Sequence, residues 1–171
     1  TNPEGEWFRC TVAQLKAAII AVRTGQLNEE NRSLDFKMRP EQEAAVEKTV
    51  AYFDSWRKEK DNRNKPPHFL WNAKMRFGKT FAAYQLAKRM GWRKVLVLTF
   101  KPAVQSAWEE DLKCHMDFKG WQFIKPDGLT YEQADKKRPF VCFGSFQDFL
   151  GKNSAGGIKA KNEWVHATNW D

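Results

Sequence analysis

Beyond residue 33, apolar residues recur every three or four positions in three stretches of the chain, which predicts three amphipathic helices. The stretches run from Glu41 to roughly Lys60, from Thr80 to Met90 and from Ala103 to Lys113. Pro40 precedes the first stretch, where an opening helical turn tolerates proline. Gly91 follows the second, where glycine ends a helix in a left-handed conformation. The pattern therefore gives the boundaries of these helices as well as their existence.

Short, continuous apolar runs predict β-strands between the helices. Val95 to Leu98 is a run of β-forming residues, which is typical of a strand buried on both faces of a parallel sheet. Phe69 to Trp71, Trp121 to Ile124 and Phe140 to Phe143 are further candidates. Strands that alternate with helices in this order predict an α/β fold with a mostly parallel sheet.

A polar stretch, Asn28 to Ser33, divides the chain into two predicted parts. Residues 1–33 are predicted as an N-terminal helical segment and linker, compatible with the end of a preceding domain. The helix of this segment is expected to begin at a capping box formed by Thr11 and Gln14. Residues 34–171 are predicted to form one α/β domain.

The composition is that of a soluble, basic protein. Hydrophobic residues make up 42% of the 171 positions, and the net charge is +8. A basic chain favours polyanionic partners such as nucleic acid, although the same charge also suits a soluble protein without one. No apolar run approaches the roughly 20 residues that span a bilayer, and three widely spaced cysteines form no zinc pattern and suggest a reducing compartment. We therefore expect a cytoplasmic protein with no membrane partner.

The strongest chemical signal is an eight-residue segment between a predicted strand and a predicted helix, Ala73-Lys74-Met75-Arg76-Phe77-Gly78-Lys79-Thr80. This context is typical of a loop that binds phosphates with backbone amides at a helix N-terminus. Gly78 permits close approach of the backbone, Lys79 reaches the β- and γ-phosphates, and the hydroxyl of Thr80 ligates Mg²⁺. A chance Gly-Lys-Thr in a lysine-rich chain is the alternative interpretation.

With this loop, the chain resembles the first RecA-like domain of superfamily-two helicases and translocases. It is most similar to DEAD/DEAH-type motors of restriction-modification proteins, in which alanine is common at the position of Ala73. The resemblance covers roughly Phe36 to Asp171. It implies a three-layer RecA-like fold that binds ATP and Mg²⁺ through all eight loop residues, with Lys79 as the catalytic residue. It also implies ATP hydrolysis coupled to DNA, with RNA as the less expected partner.

Three further segments match the family in order. Arg39-Pro40-Glu41-Gln42-Glu43-Ala44 resembles the segment in which a glutamine recognises adenine, so Gln42 is the candidate. A solvated glutamine on a helix is the alternative. The segments that begin at Val95 and Val141 resemble strands whose following loops contact nucleic acid. The resemblance implies that Thr99, Lys101 and Ser145 contact phosphates there.

The chain departs from the family at its acidic motif. No Asp-Glu pair follows a hydrophobic strand, and Glu109-Glu110-Asp111 lies within a predicted helix. The resemblance therefore implies a partial RecA-like ATP-binding domain over 34–171, truncated before the acidic Walker B motif. Its partner would be a second RecA-like domain in the remainder of the same polypeptide, and hydrolysis by the part alone is expected to be poor. A non-motor nucleotide-binding module and a nucleic-acid-binding module with a vestigial loop remain open.

Overall fold

A computed structural model of the protein describes residues 32–62, 65–100, 102–150 and 157–171, together with positions 11, 12, 15, 16, 18, 19 and 22. Most of the predicted N-terminal segment, including Gln14 of the expected capping box, lies outside the described residues. From residue 32 onward, the described part is an α/β structure with five helices and a small parallel sheet. The described positions between 12 and 22 are helical too, as predicted.

The three predicted helices are confirmed. They are α1 (Pro40–Lys58), α2 (Lys79–Met90) and α3 (Gln105–Cys114), and each lies within two residues of its predicted limits. Two short helices follow near the C-terminus, α4 (Phe146–Leu150) and α5 (Glu163–Ala167). Single 3₁₀ turns span Lys60–Asn62, Pro102–Val104, Met116–Phe118 and Ala160–Asn162.

The sheet contains β1 (Lys94–Thr99), β2 (Gln122–Ile124) and β3 (Phe140–Ser145) in the order β1-β3-β2. Both pairings are parallel, as predicted. In this register Thr99 lies beside Ser145, and Ile124 lies beside Cys142. The carboxyl ends of β1 and β3 therefore meet at one edge of the sheet.

The prediction that β1 is buried on both faces is confirmed for one face and only in part for the other, where Leu96 is half-buried against a core cluster. Val97 is buried, but Leu98 on the opposite face is 42% exposed. The cause is the position of β1 at an edge of the described sheet, because the cluster on that second face centres on β2 and β3. A run of apolar residues does not distinguish a central strand from an edge strand.

The predicted strand at Phe69 to Trp71 does not form. The segment is extended but pairs with no described strand, and Leu70 is 88% exposed. Its other side chains pack on α1 instead. The ring of Phe69 lies 5.5 Å from that of Tyr52, and Trp71 donates a hydrogen bond of 2.8 Å to the hydroxyl of Thr49. The segment is therefore held by side-chain contacts with α1 and not by backbone hydrogen bonds to a neighbouring strand.

Helical segments cover both faces of the sheet. On one face α2 and α3 supply Phe81, Tyr84 and Leu112 to a core that includes Val97 and Phe143. On the other face Phe149 and Val165 pack against the buried side chains of β2 and β3. A third cluster joins α1 to α2, through Val46, Ala82 and Leu86. This last contact fixes α1 beside the N-terminus of α2, where the loop Ala73–Thr80 lies.

Candidate phosphate-binding site

The loop before α2 turns through two left-handed residues. Arg76 has a φ of 62°, and Gly78 has a φ of 75° at the N-cap of α2. The left-handed conformation costs an ordinary residue roughly 1–2 kcal/mol and costs glycine little. The helix then begins at Lys79, so its first amides have no intrahelical acceptors and point towards the loop. This backbone is suited to an anion.

Side chains from the start of α1 hold the carbonyl groups of the loop. Gln42 donates from Nε2 to the carbonyl of Phe77 at 2.7 Å. Arg39 donates from Nη2 to the carbonyls of Arg76 and Phe77, at 2.9 and 2.5 Å. Since the C=O and N–H of a trans peptide point in opposite directions, the amide of Gly78 faces away from α1. We call Arg39 and Gln42 the clamp of the loop. Because they hold the carbonyl of Phe77, the amide of Gly78 stays free of contacts with α1 and available to a ligand.

Gln42 is buried, with 4% of its surface exposed. Its Oε1 accepts a hydrogen bond from the backbone amide of Arg39 at 2.8 Å, while its Nε2 binds the loop. Both ends of the side-chain amide are thus bonded to the protein, and Gln42 is not the solvated residue of the alternative interpretation. Adenine recognition by Gln42 stays a prediction.

The ammonium group of Lys79 folds back over the loop. Its Nζ donates to the carbonyl of Lys74 at 2.9 Å, while the side chain remains exposed. An ammonium group binds a phosphate more strongly than it binds a carbonyl, because both partners of the hydrogen bond are then charged.

The other predicted loop residues differ in exposure. Lys74, Met75 and Arg76 are exposed, whereas Ala73 and Phe77 are half-buried.

The hydroxyl of Thr80 donates a hydrogen bond to the carboxylate of Asp111 on α3. The sequence correctly places Asp111 in a helix, but it gives no sign that α3 brings this carboxylate to the loop. A hydroxyl and a carboxylate are oxygen ligands of the kind that Mg²⁺ prefers. Among the described residues, no group of three or more His, Cys, Asp and Glu side chains is arranged to hold a metal. A magnesium ion here would depend on phosphate oxygens and water as well.

Tyr84 lies where α2 meets α3, near two carboxylates. Burial raises the pKa of Tyr84 well above its ordinary value, and the carboxylates of Asp111 and Glu109 raise it further. Tyr84 accordingly keeps its proton and donates to the carbonyl of Trp108 at 2.9 Å. Asp111 therefore places one carboxylate on the side of the loop that faces α3, whereas the ammonium of Lys79 lies on the exposed side.

A groove runs beside the loop, between α1 and the segment Phe69–Phe77. Its volume is about 560 Å³, and its lining includes the cationic side chains of Arg39, Lys48, Lys74 and Arg76. The ring of Phe69 and the indole of Trp71 contribute an apolar wall. The size lies within the range of small-molecule sites in proteins.

The predicted nucleic-acid contacts divide into three cases. Thr99 and Ser145 are register partners at the carboxyl ends of adjacent strands. Thr99 is half-buried, but Ser145 is 2% exposed and donates from its hydroxyl to Asp148 at 2.7 Å. Lys101 lies outside the described residues. A phosphate contact by Ser145 would require displacement of the Asp148 carboxylate, and all three contacts stay predictions.

No helix in the described ranges is both long and apolar enough to cross a membrane.

One similarity to a curated protein bears on the chain. Over 124 residues, the chain is 39% identical to a Mycoplasma pneumoniae protein provisionally named as the C-terminus of a type II restriction enzyme and methyltransferase. The match covers 71% of this chain but only 16% of that protein. No protein-family model and no solved structure matches the chain. The chain is therefore related in sequence to a restriction-modification protein, of which it spans a small part.

Proposed function

We propose that this chain is the ATP-binding part of an ATP-dependent DNA translocase or helicase of a restriction-modification protein. The observation that carries the proposal is the loop before α2. Its left-handed Gly78 precedes a helix whose first residue, Lys79, holds its ammonium over the loop. Backbone amides at a helix N-terminus, together with a lysine at this position, suit the β- and γ-phosphates of a nucleoside triphosphate.

The groove beside the loop supports a nucleotide rather than a bare phosphate. Phe69 and Trp71 offer apolar surface for a base, and Lys74 and Arg76 offer charge for the phosphates. The groove also contains Arg39, which binds the loop directly. A ligand that spans loop and groove would therefore contact the clamp that shapes the loop.

DNA as the partner rests on two independent supports. The similar Mycoplasma protein is named for restriction and methylation, which are reactions on DNA. The chain itself carries a net charge of +8, which favours a polyanion. We propose that the DNA crosses the carboxyl ends of β1 and β3, near Thr99, Lys101 and Ser145.

Hydrolysis is proposed to need groups beyond those near the loop. In the described part of the chain, Asp111 is the carboxylate that contacts Thr80. Phosphoryl transfer also needs a residue that orients the attacking water and cations that stabilise the transition state. We propose that a second RecA-like domain of the same polypeptide supplies these, so that the chain alone binds ATP but hydrolyses it poorly.

The test is the affinity of the full-length protein for ATP, measured by calorimetry. Lys79→Ala removes the charge-assisted contact to the phosphates, and we expect it to weaken ATP binding by at least ~100-fold. Lys60→Ala is the matched control, because it removes the same charge from an exposed position. Affinity of Lys79→Ala within a factor of about two of the control would refute the phosphate-binding loop.

Assays of the same full-length protein with and without DNA distinguish a motor from a non-motor nucleotide-binding module and from a nucleic-acid-binding module. A motor hydrolyses ATP faster when DNA is added, and this stimulation is lost in Lys79→Ala. ATP binding without any response to DNA would indicate a non-motor nucleotide-binding module. DNA binding without ATP binding would indicate a nucleic-acid-binding module with a vestigial loop.

A further inference from the structure

Residues 33–38, which we call the strap, run along the end of α3 before the chain enters α1. The amides of Ser33 and Leu34 donate to the carbonyl of Cys114, the last residue of α3, at 3.1 and 3.0 Å. The amide of Met116 donates in turn to the carbonyl of Leu34 at 2.9 Å. Because the last carbonyl groups of a helix need donors from outside it, the strap completes the end of α3.

His115 follows α3 directly and holds the strap with its side chain. The residue is 1% exposed. Its Nδ1 accepts from the amide of Asp117 at 3.1 Å, so Nε2 carries the proton and donates it to the carbonyl of Phe36 at 2.9 Å. The ring of Phe36 lies 4.7 Å from the imidazole and equally close to the ring of Phe81 on α2. Of the two ring nitrogens, one therefore serves the local turn and the other serves the strap.

The phosphate loop is attached to α3 in two ways. The strap leads directly into the clamp, Arg39 and Gln42, which binds the carbonyl of Phe77. On the other side of the loop, the hydroxyl of Thr80 donates to Asp111, which lies in the last turn of α3. The loop is therefore held between two contacts that both lead back to the end of α3, one directly and the other through the strap.

We propose that docking of the strap on α3 controls the shape of the phosphate loop, and that His115 is the positioning residue through which it acts. If the strap left α3, the clamp would lose its anchor and the carbonyl of Phe77 would no longer be fixed. ATP would then bind a loop that first has to be ordered, at a cost in affinity. The inference rests on the nucleotide binding proposed for the loop and states how that binding is regulated.

The coupling between strap and loop must be reciprocal. If a docked strap strengthens ATP binding by a given factor, ATP holds the strap in place by the same factor, because both measure one coupling free energy. Such factors are typically about 5- to 150-fold. A residue that only stabilises the end of α3 predicts no specific response of the strap to ATP. The two roles therefore differ in a measurable way.

Two substitutions at His115 separate its two hydrogen bonds. His115→Asn keeps an acceptor for the amide of Asp117, because asparagine bonds the backbone two residues on, but its shorter side chain does not reach Phe36. His115→Gln instead brings an amide donor to about the position of Nε2, so the bond to the carbonyl of Phe36 is kept. Phe36→Ala removes the ring that packs on His115, and Lys37→Ala is the matched control at an exposed neighbouring position.

Calorimetry of the full-length protein with ATP gives the first measurement. We expect His115→Asn and Phe36→Ala to weaken ATP binding by ~10-fold, while His115→Gln and Lys37→Ala stay within a factor of about two of the unchanged protein. Unchanged affinity in His115→Asn, or equal losses in both His115 variants, would overturn the proposal. An unchanged protein that does not bind ATP would refute the proposed function as well, whereas ATP binding that ignores the strap refutes the inference alone.

Hydrogen exchange of the unchanged protein gives the reciprocal measurement and does not depend on whether a variant folds. ATP should slow exchange of the amide of Met116, which opens with the strap, by the same ~10-fold factor, and Lys79→Ala should abolish this effect. The amide of Thr168, bonded to the carbonyl of Trp164 at the end of α5, is the reference. Equal slowing at both amides would reflect general stabilisation by a bound ligand and would overturn the proposal.

Discussion

The side-chain amide of Gln42 fills the space that a β-carbon on residue 78 would need. A methyl group built on Gly78 would lie 2.6 Å from Nε2 of Gln42, closer than unbonded atoms approach. The same glycine has a φ of 75°, which disfavours any other residue. Gly78 is therefore required twice, once for the turn of the backbone and once for the contact that holds the loop against α1.

Gly78→Ala is expected to distort the loop and to weaken ATP binding by ~10-fold or more, because the methyl group must displace Gln42 from the carbonyl of Phe77. Thermal unfolding and calorimetry with ATP measure the two effects. Gly91→Ala is the matched control: its φ is 70°, but a β-carbon there meets nothing within 4 Å. Stability losses that are equal in both variants, with ATP affinity unchanged, would mean that backbone strain alone matters.

Gln42→Ala is expected to weaken the binding of ATP more than that of pyrophosphate. Loss of the contact with Phe77 loosens the loop for both ligands, whereas loss of an adenine contact affects ATP alone. Calorimetry with each ligand gives the two ratios. Arg39→Ala provides the comparison, since Arg39 binds the same loop carbonyls. Equal weakening of both ligands by Gln42→Ala would limit Gln42 to its role in the clamp.

Asp111→Asn tests whether the carboxylate beside Thr80 serves a magnesium ion. We expect the Mg²⁺ concentration needed for half-maximal ATP binding to rise by ~10-fold, because groups that orient a metal ligand commonly affect metal affinity to this extent. ATP binding in the presence of a chelator should not change. Glu110→Gln is the control, since Glu110 is an exposed neighbour on the same helix. An unchanged requirement for Mg²⁺ would confine Asp111 to a contact between α2 and α3.

The parts of this structure that could be predicted from sequence depend on nearby residues. Gly91 ends α2 as expected because helix termination is decided within one turn. The contact of Thr80 with Asp111 joins positions 31 apart in sequence, and the one between Arg32 and Leu112 joins positions 80 apart. The spacing of apolar and polar residues along the chain does not predict contacts between positions so far apart. The wrong prediction of a strand at Phe69–Trp71 has the same cause. A strand forms only by pairing with a neighbouring strand, and the local sequence does not show whether that neighbour is present.

The last prediction concerns the nucleic-acid contacts at the carboxyl ends of β1 and β3. Lys101→Ala in the full-length protein is expected to weaken DNA binding by a similar factor on unrelated sequences and to lower the salt slope by roughly one unit. Ser145→Ala is expected to do less, because the hydroxyl of Ser145 is buried and bonded to Asp148. Its main effect should be a loss of ~1 kcal/mol in stability.

Diffuse attraction by the net charge of +8, centred on the basic stretches Arg57 to Lys65 and Lys136 to Arg138, is the competing explanation of any DNA binding. Exchange of both Lys58 and Lys60 for alanine removes two charges from the first of these stretches, and we expect DNA to stimulate ATP hydrolysis almost as well as before. Lys101→Ala should abolish the stimulation although it removes only one charge. Anisotropy at several salt concentrations and ATPase rates with and without DNA measure both effects. The reverse pattern would place the DNA at the basic stretch Arg57 to Lys65 instead of the strand ends, because affinity would then follow the number of charges rather than their position.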